Sequence, residues 1–265
     1  MPGSGCRDDA AHYPQDVDYA RFVDQLTEQA AAMRAAAVAA GPDASVPTCP
    51  EWTVRRLVRH MAKLHNWAGR SLGTPPDGER PSPDSPPADW DELLSWWDKE
   101  LTGFVDLLRS REPAAPAWTF ATGPRVAAFW ARRQAHETAI HRLDAEHAAA
   151  GSAEADAVPA LVFDSEFAAD GIDEVLHVGI APVWARERPA ARGTVLLHAA
   201  DAGRAWLVRL QPGEIEIGPA ADQPALDADA SIVGTADAVY RAAWGRPSHA
   251  VTGGDRQLLG ALRSP

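Results

Sequence analysis

Cysteine is almost missing from this sequence: Cys6 and Cys49 are the only two in 265 residues. They form neither a disulfide framework nor a CxxC metal knuckle, so a reducing, cytoplasmic setting is the expectation. Lysine is as scarce, with Lys63 and Lys99 the whole complement, and arginine carries the positive charge. The balance is nonetheless acidic, with a formal net charge of −12. That argues against nucleic acid or an anionic membrane as the main partner. No apolar run approaches the roughly 18 residues of a membrane span. The opening MPGSGCRDDAAHYPQ lacks both the basic and the apolar stretch of a secretory signal. There is also no GxSxG elbow, no P-loop and no dinucleotide fingerprint. Ser248 and His249 are adjacent, but adjacency does not make a catalytic triad.

What is present is a globular composition, 46% hydrophobic with ten tryptophans, in a chain long enough for two modest domains. Residues 16–40 carry Phe22, Leu26, Ala30 and Met33 at helical spacing and stop at Gly41-Pro42. Thr53 is placed to cap the next helix, VRRLVRHMAKLHNWAGRSL. A Pro- and Gly-rich connection over 73–88 leads to a third helix with Trp90, Leu93, Trp97, Leu101, Phe104 and Leu108 on one stripe. After a loop at 111–124, a fourth helix covers about 125–149. Four striped helices with two long connections predict a four-helix bundle over residues 1–150. Most of the tryptophans in this half are expected in its core, and Cys49 is expected to be a small packed residue.

AAGSAEADAV, residues 149–158, reads as a linker, after which the periodicity changes. A helix over about 159–177 precedes strand-like runs at 193–200, 204–211, 213–218 and 229–234. Then come a helix over TADAVYRAAWG, a short strand at HAVTG and a last helix, DRQLLGALR. Residues 159–265 thus predict a small α+β domain, and the chain as a whole is a two-domain α+β protein.

QAHETAIHRLDAEH, residues 134–147, is the densest chemistry in the chain. His136 and His141 are five residues apart and point about 140° away from each other on a helix, which excludes the HExxH zinc-protease arrangement. Glu137 and His141, at i and i+4, share a face with Asp144, Phe129, Trp130, Arg133 and Ile140. That face is either an amphipathic edge or an inward-facing polar site. A carboxylate and an imidazole make two ligands, and a divalent ion needs at least one more. The second helix offers His60 and His65, which flank its apolar stripe of Val54, Leu57, Met61, Leu64 and Ala68 on opposite sides. Helical geometry does not choose between them.

VPTCPEWTVRRLVRHMAKLHNWA followed by RRQAHETAIHRLDAE resembles the mycothiol-dependent maleylpyruvate isomerase family, part of the broader DinB-like four-helix bundles. ASIVGTADAVYRAAWGRPSHAVTGGDRQLLGAL resembles the small sterol-carrier-like domain that these enzymes append. The resemblance implies a divalent metal, most often zinc, held in the bundle by His60, Glu137 and His141. It makes His136 and Asp144 candidates to orient those ligands, and Arg246, in the WGR position, the candidate catalytic arginine. Three protein ligands leave a fourth position open, as in catalytic zinc sites. The implied co-substrate is mycothiol, a low-molecular-weight thiol, acting on a small electrophile by isomerisation or thiol transfer. Two other readings stand beside it: a metal-dependent bundle enzyme that activates water, and a non-enzymatic small-molecule binding protein with a structural metal.

Overall fold

A computed structural model describes residues 19–187, 189–220 and 227–262. Cys6, the opening stretch read for a secretory signal, the first three residues of the first predicted helix and Arg263 of the last one lie outside the described residues. The chain divides into two compact units, one of Met1–Ala44 with Trp52–Ala145 and one of Ser45–Glu51 with Glu146–Pro265. No helix among the described residues is long and apolar enough to cross a membrane.

The first unit is built from four helices: α1 (Tyr19–Ala40), α2 (Val54–Leu72), α3 (Trp90–Arg109) and α4 (Ala127–Ala150), whose last turn crosses into the second unit. α1 buries Phe22, Leu26, Ala30, Met33 and Ala37, the i, i+4 stripe of its sequence. It ends where Gly41 turns to φ +83° and donates its N–H to Ala37, a left-handed cap that glycine adopts without a Cβ clash. Arg34 reaches from α1 to α3 as a two-pronged clamp on Asp98, at 2.7 and 2.9 Å. Tyr19 donates its hydroxyl to the carbonyl of Leu108 at 2.9 Å, and burial pushes that phenol up to about 12.

Thr53 and Asp89 cap α2 and α3 with their side chains. The proline-rich connection between these helices is pinned back onto α2. Trp67 donates to the carbonyl of Pro81 at 2.8 Å, Arg59 to that of Pro87 at 2.7 Å, and Asn66 accepts from the backbone of Asp84 at 2.8 Å. Of the tryptophans in this unit, Trp97 and Trp130 are fully buried, whereas Trp52, Trp67, Trp90, Trp96 and Trp118 are half-buried. α4 differs from the other three helices. From Ala131 to Ala145 it is buried on nearly every face, charged residues included.

The second unit opens with one continuous helix made of three pieces: α5 (Ser165–Glu174), a π-helical stretch (Val175–Ile180) and α6 (Ala181–Glu187). The helix predicted at 159–177 therefore begins six residues later and runs further. The physical reason is at its start. The backbone N–H groups of Val162 and Phe163 both donate to Asp237 at 2.9 Å, which keeps that segment extended until Asp164 caps the helix. A five-stranded sheet follows, in the order β3-β2-β1-β4-β5, with β1 (Gly193–Ala199), β2 (Arg204–Gln211), β3 (Glu214–Pro219), β4 (Ala230–Gly234) and β5 (Val251–Gly254). β1 and β4 are parallel and the other pairs antiparallel. The β2–β3 hairpin closes through Gly213 at φ +80°, where a side chain would be strained. α7 (Ala236–Ala243) and α8 (Arg256–Ala261) complete the unit. Within α7, Asp237 and Arg241 form a buried ion pair at 2.5 Å, so the carboxylate that holds the extended segment is itself charge-balanced.

Candidate metal centre

Three side chains from two helices converge in the first unit. α2 presents His60 from the border of its apolar stripe, and α4 presents Glu137 and His141 from successive turns of one face. One donor atom from each lies within 4.8 Å of the other two. Glu137 Oε1 is 3.6 Å from His60 Nε2 and 3.5 Å from His141 Nε2. Those distances are long for hydrogen bonds. They match instead the edge of a tetrahedron: donors about 2.1 Å from a shared ion sit roughly 3.4 Å apart. Two imidazoles and one carboxylate brought together in this way are a donor set suited to holding a metal ion.

The electrostatics prepare the donors. Burial pushes the Glu137 carboxyl up, but the Arg133 guanidinium and the two imidazoles outweigh it and hold the group well below its ordinary range. Arg133 makes its ion pair with Oε2, one helical turn away. For His141, burial acts downward, yet Asp144 and Glu137 together raise its pKa. Asp144, fully buried, lies 2.8 Å from His141 Nδ1. This directs the ring proton to Nδ1 and leaves the Nε2 lone pair facing Glu137 and His60. Of the two candidates for orienting the ligands, Asp144 thus touches one directly. His136 is buried and packs edge-on against Phe22 of α1, with ring centroids 5.7 Å apart.

His65, the other histidine of α2, turns into the helix contacts. Trp97 donates its indole N–H to His65 Nδ1 at 2.9 Å, and Nε2 faces the Thr138 hydroxyl at 3.0 Å. An indole can only donate, so Nδ1 is the acceptor and the ring is neutral. Burial holds its pKa down to about 3. It supports the packing of α2, α3 and α4.

The periodicity of the sequence does not single out Trp52. Its ring stacks on His141 at 5.9 Å and meets His60 edge-on at 5.0 Å, so one indole walls both imidazoles. Trp52 precedes the capping residue of α2, where no stripe applies. The Arg133 contact was more accessible, since arginine and glutamate at i, i+4 are visible as a pair in RRQAHE. In the second unit, half-buried Arg246 donates to the carbonyl of Trp244 at 2.8 Å and lies 3.7 Å from the sulfur of Cys49, itself half-buried.

Comparison with known proteins places this geometry. The family model of the mycothiol maleylpyruvate isomerase N-terminal domain matches residues 23–146, and that of the corresponding C-terminal domain matches residues 166–261. The chain belongs to the mycothiol-dependent maleylpyruvate isomerase family. This is a family of enzymes, and both of its domains are represented here. Two solved structures share the fold: a histidine-to-alanine mutant of mycothiol-dependent maleylpyruvate isomerase, with TM-score 0.60 and 12% identity, and the same enzyme unmutated, with TM-score 0.55 and 14% identity. Each alignment covers 90% of this chain and 94% of the other. At that identity the likeness is one of fold. No curated protein matches the chain. Within the family architecture, the three converging donors lie on helices of the matched N-terminal domain and Arg246 in the matched C-terminal domain.

Proposed function

We propose that this chain is a zinc-type divalent-metal enzyme that uses mycothiol on a small electrophile, isomerising it or transferring the thiol to it. His60, Glu137 and His141 are its metal ligands. The observation that carries the reading is the convergence of their three donor atoms within 4.8 Å of one another, with Glu137 Oε1 3.6 Å from His60 and 3.5 Å from His141. Family membership supports the thiol, since the solved relatives are named as mycothiol-dependent isomerases.

When bound, the ion supplies positive charge that makes a thiol acidic at neutral pH. The protein's own groups hold the arrangement. Glu137 stays ionised, because Arg133 compensates its burial. His141 is fixed in ring orientation by Asp144. Trp52 closes one side of the two imidazoles against water. His60, with 34% of its side chain exposed against 9% for His141, marks the solvent side, from which thiol and substrate approach. Arg246 serves as the catalytic arginine, its guanidinium suited to grip an anionic group on the thiol or the electrophile. The reaction belongs to the cytoplasm, where a free low-molecular-weight thiol stays reduced.

Protein purified without chelator is expected to carry one divalent ion per chain, and His60→Ala, Glu137→Ala and His141→Ala should each lose it. Metal analysis showing full retention in all three variants would sink the site. Turnover unaffected by omitting mycothiol would transfer the reading to water activation.

A further inference from the structure

Four polar side chains occupy successive turns of one face of α4: Arg133, Glu137, His141 and Asp144. Basic and acidic groups alternate along it, and each ligand in the series has one atom held from outside and one turned inward. Arg133 Nη2 pairs with Glu137 Oε2, while Oε1 is the atom that faces His60 and His141. Asp144 holds His141 at Nδ1, while Nε2 is the atom that faces Glu137. The Asp144 contact fixes a ring that can offer only one nitrogen inward in any case. The Arg133 contact has a larger consequence, because a carboxylate can bind a cation through one oxygen or through two.

We propose that Arg133 is a positioning residue that makes Glu137 a one-oxygen ligand. The guanidinium occupies Oε2 and so limits the protein to three donor atoms, which keeps a fourth position open for the incoming thiol. The inference rests on the metal site proposed above. The side chain is suited to this work in three respects. It sits one helical turn before Glu137, the spacing at which arginine and glutamate meet. With 17% of its surface exposed, it competes little with water for the carboxylate. Its planar, permanently charged fork holds an oxygen in direction as well as in distance. Without it, Glu137 would be free to rotate and present both oxygens, filling the open position with a protein atom.

Cobalt(II) is the probe, since it replaces zinc in such sites and its visible d–d bands weaken as the coordination number rises. Cobalt-loaded wild-type protein is expected to show intense four-coordinate bands. In Arg133→Met those bands should weaken several-fold and shift to shorter wavelength, with one cobalt still held per chain. A residue that merely supports the fold would change thermal stability and leave the spectrum of the folded fraction as it was. Should Arg133→Met fail to fold, Arg133→Gln carries the test, being neutral and closer in polarity, and its bands should move in the same direction. A spectrum superimposable on wild type in the folded variant overturns the role of Arg133 alone. Failure of wild type to take up cobalt, or its retention by Glu137→Ala, overturns the metal site itself and the inference with it.

Discussion

The two helices that carry the candidate ligands are built on opposite plans. α2 has a dry side and a wet side: Val54, Leu57, Val58, Met61 and Ala68 are buried, and Lys63 and Arg70 face water. α4 has no wet side through its middle turns, where Ala131, Ala135, Ala139 and Leu143 are buried together with Gln134, His136, Glu137, His141 and Asp144. On an amphipathic helix, a histidine at the border of the stripe is free to be either a surface group or an inward one. On a helix buried all round, every charged group must find a partner, because an unpaired buried charge costs several kcal/mol. The alternation of Arg133, Glu137, His141 and Asp144 is that requirement met in sequence. What α4 lacks in amphipathicity it shows as charge complementarity along one face.

The largest effects should come from asking whether each helix has a dispensable side. Leu57→Ala, at a fully buried position of α2, is expected to cost about 2–5 kcal/mol through lost transfer energy and the cavity left behind. Lys63→Ala, on the exposed side of the same helix, should stay within about 0.5 kcal/mol of wild type. Urea unfolding read at constant slope measures both. Equal costs for the two substitutions would break the two-sided description of α2.

A second test concerns His65, which belongs to α2 by sequence but to the buried network by contact. Its folded pKa, lowered to about 3, lies below the ordinary histidine value of 6.5. The unfolded chain therefore takes up the proton first as pH falls. The stability tied to this group is complete above pH 6.5 and drains away between there and about pH 3. At pH 5 the loss is about 2 kcal/mol, from about 1.4 kcal/mol for each pH unit below the unfolded value. His65→Gln keeps an acceptor for Trp97 and a donor for Thr138 but does not titrate. Its stability should fall less than that of wild type between pH 7 and pH 5 by that amount. Parallel pH profiles for the two proteins would show that His65 is not the buried neutral group described.

These contrasts also mark what could be read from the amino acids alone. α2 was legible to the residue, because its stripe and the capping Thr53 agree, and α3 begins at Trp90, one residue later than the run read as helix, after Asp89, which caps it. β1 to β4 fell within one residue of their expected bounds, since β-branched runs alternate between turn residues of fixed type. The start of α5 was not legible. Its delay depends on Asp237, more than seventy residues away in sequence, which holds the backbone of Val162 and Phe163. The π-helical stretch at 175–180 carries no local signal that separates it from an α-helix. In the candidate metal centre, helical spacing paired Glu137 with His141 but left His60 and His65 unresolved. The difference between those two is made by α3, whose Trp97 takes His65 as its hydrogen-bond acceptor. Trp52 lay outside any periodic element, so its place over both imidazoles could be found only in three dimensions.

The smallest effect separates the two helices at their first turns. Both are stitched to the chain before them by backbone hydrogen bonds: Val54 and Arg55 of α2 donate to Ala44 and Pro42, and Ala127 and Ala128 of α4 donate to Ala115 and Pro113. They differ in the third donor. In α2 the N–H of Arg56 depends on the Thr53 side chain, at a long 3.4 Å, whereas in α4 that of Phe129 goes to the backbone of Val126 at 3.2 Å. Thr53→Ala removes a single weak partner from a helix start that is otherwise satisfied, so the cost should lie near about 0.5 kcal/mol, the low end for a lost N-cap. Val126→Ala leaves its own carbonyl in place and should not disturb the start of α4 by that route. Differential unfolding midpoints at unchanged slope resolve a difference of this size. A cost of about 2 kcal/mol for Thr53→Ala, the upper end for a lost cap, would mean that the side chain rather than the stitched backbone holds the start of α2.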